Sequence, residues 1–88
     1  MDGLKELKDF ILVEHGETHG VLMPTLMWKY WRYRRKGGKA IVDITNFGNL
    51  WVASNATKDT FRYIYVGDDR KQMAKAVAEF LRGEDNGL

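Results

Sequence analysis

Two periods of hydrophobic residues meet near residue 67. Phe61 to Val66 is a run of aromatic and β-branched residues interrupted only by Arg62, the composition of a strand. Beyond it, Met73, Ala76, Val77, Phe80 and Leu81 recur every third or fourth position, which predicts an amphipathic helix. Gly67-Asp68-Asp69 separates the two elements. Asp69 with Gln72 three residues on is the pattern of a capping box, and Gly83 is a helix stop. The tail from Glu84 to Leu88 is expected to fray.

Upstream the period is two. Ala40 to Thr45 sets Val42 and Ile44 against Asp43 and Thr45, and Leu50 to Ser54 sets Leu50 and Val52 against Trp51 and Ala53. Asn46-Phe47-Gly48-Asn49 and Asn55 to Thr60 carry turn residues. Leu26 to Arg35 is rich in Trp and Tyr, and the Gly37-Gly38 pair after it predicts a tight hairpin. A helix over the same stretch is the alternative, with Pro24 in its first turn, Leu26, Met27, Tyr30 and Trp31 inward, and Gly37 as its stop. At the start of the chain Leu4, Leu7, Phe10 and Ile11 share one helical face, so Asp2 to Glu14 is read as a helix ending near Gly16. A hairpin of Phe10–His15 with His19–Met23 around Gly16-Glu17-Thr18 competes with it.

These elements predict one α+β domain over residues 1–88, ordered α-β-β-β-β-α. It is a four-stranded antiparallel meander with the N-terminal and C-terminal helices packed on one face. Val42, Ile44, Leu50 and Val52 are expected beneath the helices, with Leu26, Trp28 and Tyr30. The open face would then carry Lys29, Trp31, Tyr33, Arg35, Asp43 and Trp51. From the last strand it takes either Phe61, Tyr63 and Tyr65 or Arg62 and Ile64. Every one of these assignments depends on register, since a slip of one residue exchanges the two faces.

Charge adds a second pattern. The formal net charge is only +2, but residues 28–39 hold six of the 14 basic residues, four large aromatic residues and no acid. The remainder carries eight cations against all 12 acids and is net negative. Rings interleaved with Lys and Arg suit single-stranded nucleic acid, which offers bases to stack and phosphates to pair. Trp31, Tyr33 and Trp51, extended by Tyr63, are the expected stacking platform. Lys29, Arg32, Arg34, Arg35, Lys36 and Lys39 are the expected phosphate contacts. The competing structural role for this run is an edge strand whose rings fill a small core and whose cations guard the edge.

The run Trp31-Arg32-Tyr33-Arg34-Arg35-Lys36-Gly37-Gly38-Lys39, followed by a strand, resembles the first hairpin of the arm-type DNA-binding domains of phage integrases. That resemblance is confined to the hairpin and implies a reader of duplex DNA. The order of four strands then a helix is also similar to small single-strand binders of the PUR type and to archaeal ThermoDBP-like proteins, where the likeness is one of architecture. No motif matches residue by residue, so no site is carried over.

Other chemistry is thin. There are no cysteines, hence no disulfides or thiolate metal sites. His15 and His19 stand four apart, but Gly16 between them argues for a turn, so no metal or other cofactor is expected. Asp68 and Asp69 precede a helix and are better suited to capping than to catalysis. No nucleophile finds a base at motif spacing, so the chain is expected not to be an enzyme and to have no small-molecule substrate. No apolar run approaches a membrane span and no signal peptide is evident, which makes the cytoplasm the expected location. The leading expectation is a nucleic-acid binder of low sequence specificity that favours single strands. The rival is a homodimeric or partner-binding module that uses the aromatic sheet face or the Met-rich segment Leu22 to Met27. A duplex-DNA binder with a basic hairpin is third.

Overall fold

A computed structural model describes residues 3–19 and 27–83. Five strands run β1 (Ile11–His19), β2 (Met27–Arg34), β3 (Ile41–Phe47), β4 (Leu50–Ala56) and β5 (Phe61–Gly67), followed by helix α1 (Arg70–Gly83). They form one sheet in the order β1-β2-β3-β4-β5, every neighbouring pair antiparallel. The class is thus α+β with an antiparallel meander and a C-terminal helix, but among the described residues there is a strand more than expected and only a 3₁₀ turn where an N-terminal helix was expected.

The N-terminal periodicity has a different cause. Leu4 and Leu7 are core residues of a 3₁₀ turn, Lys5–Leu7, closed by hydrogen bonds from Leu7 N–H to the Leu4 carbonyl (2.9 Å) and from Phe10 N–H to the Leu7 carbonyl (3.0 Å). A spacing of three is as good a fit to this turn as to a helix. Ile11 then opens β1, and Gly16 lies within that strand opposite Tyr30. A Cβ at Gly16 would come 2.9–3.0 Å from the Tyr30 ring, so the ring lies across the glycine.

Residues 27–34 are strand, not helix. The β2–β3 connection is six residues long, residues 35–40, rather than the tight hairpin expected, and of the Gly37-Gly38 pair only Gly37 takes a positive φ. Gly37 takes φ +77 in a turn bonded from Gly38 N–H to the Arg35 carbonyl (2.9 Å), and Gly48 takes φ +71 as the first of the two residues between β3 and β4. Segment 20–26, which holds Pro24 and all but the last residue of the Met-rich stretch, lies outside the described residues, as does the 84–88 tail.

Helix α1 begins as expected: Gln72 N–H donates to Asp69 Oδ1 at 3.0 Å. The reciprocal bond is made differently, because Asp69 N–H donates to the Tyr65 hydroxyl at 3.1 Å. Its buried stripe is Met73, Ala74, Val77, Ala78 and Leu81, with Phe80 packed at the margin. Against it lie Tyr33, Val42, Ile44 and Ala53 from the sheet and Leu4 and Leu7 from the 3₁₀ turn.

Register exchanges part of the expected faces. Tyr33 pairs with Val42, and Trp31 with Ile44, which pairs with Ala53. Trp31, Tyr33, Trp51 and Ala53 therefore look toward the helix, and Trp28, Tyr30, Leu50 and Val52 look away. Val42 and Ile44 lie beneath the helix as expected. A bulge in β5 resolves its two alternatives by splitting one of them. Ala53 pairs with Tyr65 and Ser54 with Tyr63, leaving Ile64 as the extra residue. Phe61 and Tyr63 stand on the open face, while Tyr65 and Arg62 stand on the helix face. Among the described residues, no helix covers the open face.

Candidate nucleic-acid interface

Three of the four expected stacking rings are structural. Tyr33 is 1% exposed, and its hydroxyl accepts a hydrogen bond from Leu4 N–H at 2.7 Å. Burial raises the ionisation of that hydroxyl above the ordinary 10.0, against the opposing pull of the Leu4 bond. Trp31 and Trp51 stack on each other beside the start of α1, centroids 5.7 Å apart at 26°, and both pack against the core. The Arg70 guanidinium lies 5.6 Å from the Trp51 ring centre and is tied to Glu6 at 3.1 Å. The composition of this strand required large rings in the small core, and they are here.

Two of the six expected cations stand apart. Lys29 is on the helix face, paired in register with Glu17 and Asn46. Arg32 crosses the open face between two carboxylates, with Nε 2.7 Å from Asp43 and Nη1 3.6 Å from Glu14. The hydrogen bond to Asp43 raises the Arg32 pKa further, so this guanidinium is held by its own chain. Tyr30 donates to Glu14 Oε2 at 3.1 Å, and that bond raises the Tyr30 pKa.

The remaining four cluster at one end of the sheet. Arg34 closes β2, and Arg35, Lys36 and Lys39 belong to the turn that follows. Arg34 Nη1 donates to the Arg35 carbonyl at 3.4 Å and Arg35 Nη1 to the Lys36 carbonyl at 3.3 Å, bonds that keep both guanidiniums near the tip. Antiparallel pairing brings the β4–β5 turn, with Lys58, to the same end. Arg62 follows it, 4.8 Å from the Phe80 ring centre, and Arg82 lies 5.4 Å from that of Phe10. Lys8 precedes β1 at this end, with Asp9 and Asp59 as nearby acids. Cations are thus concentrated at this end although the formal net charge of the chain is only +2.

Exposed rings adjoin this end. Tyr63, 64% exposed, meets Phe61, 59% exposed, edge to face at 5.0 Å and 88°. Of the expected stacking residues, Tyr63 alone stands open. Lys58 and Arg82 lie outside the basic run and carry no signal in the sequence, while Phe61 and Arg62 enter the sequence reading only as alternatives for the open face. The signal available was topological: hairpins in a meander place alternate turns at one end.

Among the described residues, no three His, Asp or Glu side chains form a metal-binding group, and no helix is long and apolar enough to cross a membrane. Comparison with protein-family models, curated proteins and solved structures finds no match for this chain.

Proposed function

We propose that the chain binds nucleic acid through its cationic end, preferring single strands with little sequence specificity. The observation that carries this is the gathering of cations from four separate stretches of sequence around exposed Phe61 and Tyr63. Phosphates would meet Arg34, Arg35, Lys36, Lys39 and Lys58, and unpaired bases would stack on Phe61 and Tyr63. Single strands are favoured because the rings stand on a sheet edge, where a free base face can meet them. Trp31, Tyr33 and Trp51 serve the fold in this reading, and Arg32 and Lys29 do not pair with phosphate.

The test is fluorescence anisotropy of a labelled oligothymidine across a salt series. Tyr63→Ala weakens binding at every salt concentration, by about 1–3 kcal/mol if a base stacks there. Arg34→Ala with Lys36→Ala reduces the slope of log affinity against log salt by about 0.7 for each phosphate left without its cation. Arg32→Ala and Lys29→Ala leave the slope unchanged. Absence of binding at low salt, or equal losses for all these variants, refutes the proposal. Competition by duplex DNA stronger than by single strands would favour a duplex reader.

A further inference from the structure

The open sheet face is a second surface, distinct in composition from the cationic end. Its side chains stand in rows across the strands, as the pairing dictates. One row is Thr18, Trp28, Phe47 and Leu50; the next is Gly16, Tyr30, Thr45 and Val52. The third is Glu14, Arg32, Asp43 and Ser54, and the fourth is Ile11, Arg34, Ile41 and Ala56. Trp28 and Phe47 rings meet at 5.2 Å, and Phe47 and Leu50 are each 41% exposed. Such a face, apolar apart from the Glu14–Arg32–Asp43–Ser54 stripe, Arg34 and two threonines, is costly to leave in water.

We propose that a second copy of this chain covers it, in a two-fold dimer whose axis runs along the strands between β2 and β3. Charge chooses the axis. Centred on β3, it would set Asp43 against Asp43. Between β2 and β3, the Arg32 of each copy lies over the other's Asp43, and Glu14 over Ser54. The same operation lays Trp28 over Phe47, joining four rings, and Tyr30 over Thr45. An axis between β1 and β2 also matches charge, but overlaps only two strands from each copy. An axis across the strands sets the Trp28 row against the Arg34 row. Self-complementarity of this kind is what an isologous interface demands.

The overlap covers β1 to β4, about 19 by 26 Å from strand spacing and rise. Allowing for side-chain relief, this lies near the lower bound of about 1,200 Å² in total for specific interfaces, so the dimer is concentration-dependent. Strand β5 overhangs, which leaves Phe61 and Tyr63 uncovered, and both cationic ends fall on the same side. The inference goes beyond nucleic-acid binding; the two surfaces meet at Arg34, and the dimer fails independently because its test uses Arg32, Asp43 and Phe47, which take no part in the nucleic-acid reading.

Sedimentation velocity of the full chain over a concentration series tests it. The wild type is expected to pass from monomer to dimer. Arg32→Glu alone and Asp43→Arg alone each raise the dimer dissociation constant at least tenfold, because like charges then face across the axis. An equimolar mixture of the two restores the dimer, since the introduced Glu at 32 of one copy meets the introduced Arg at 43 of the other while the native Arg32–Asp43 contact forms on the opposite side of the axis, a recovery that misfolding cannot mimic. Phe47→Lys, at an exposed strand end, also yields monomer. A wild type monomeric at every concentration, a dimer indifferent to these variants, or a mixture that stays monomeric overturns the proposal.

Discussion

Replacing Tyr33 by Phe removes one oxygen and separates a structural from a binding role for this ring. The hydroxyl is the acceptor for Leu4 N–H at 2.7 Å, and both residues are buried, at 1% and 4% exposure. Phe keeps the ring packing but leaves a buried donor without its partner, which costs about 1–3 kcal/mol. With a urea slope near 1 kcal/mol/M for so small a domain, the midpoint falls by roughly 1–3 M. A second signature is alkaline. Burial holds the folded hydroxyl above 10.0, so the unfolded chain releases its proton first. The stability this group contributes is therefore whole below pH 10.0 and is lost as pH rises through the folded value. Tyr33→Phe flattens that decline; the part due to Tyr30, raised by its bond to Glu14, remains. Urea unfolding followed by circular dichroism at pH 7 and above pH 10 reads both effects, and oligonucleotide anisotropy is run beside it. An unchanged midpoint, or an unchanged midpoint together with lost oligonucleotide affinity, refutes the reasoning; the second result would return Tyr33 to base stacking.

Asp69→Ala removes the acceptor for Gln72 N–H at the start of α1 and should cost about 1 kcal/mol, lowering Tm by about 4–8 °C. Gly48→Ala meets no atom within 4 Å, so its cost is backbone strain at φ +71, about 1–2 kcal/mol; an unchanged Tm would contradict the turn geometry. Burial raises the Glu6 carboxyl, but hydrogen bonds from its own backbone N–H and from Arg70 outweigh this and hold it below 4.5. Its contribution is present above 4.5 and lost as pH falls through the lower folded value, so Glu6→Gln should lessen the acid sensitivity of Tm.

How far sequence reaches is seen in α1. Its period and its Asp69 cap are local, and local chemistry decides them: a helix bonds within itself and needs only one apolar face. Gly37 and Gly48 are equally legible, because a positive φ is a property of one residue, whereas the six-residue length of the β2–β3 connection is not. The strand faces are not. Leu50 and Val52 alternate with Trp51 and Ala53, and either pair suits a core. The choice fell to α1, whose Met73, Val77 and Leu81 fill the space above Ala53, so that a small residue lies beneath the helix and Trp51 stacks on Trp31 at its edge. That choice, passed from strand to strand by hydrogen-bond register, turned Trp31 and Tyr33 inward and Trp28 and Tyr30 outward. The Ile64 bulge then separated Tyr63 from Tyr65, which alternation alone would have kept together. Charge was legible as a run of residues, yet its usable surface was not. Arg32 was claimed by Glu14 and Asp43 across the sheet, while Lys58, Arg62 and Arg82 reached the tip from distant parts of the chain. Both results follow from non-local pairing, which joins residues that sequence keeps apart and which no window along the chain can see.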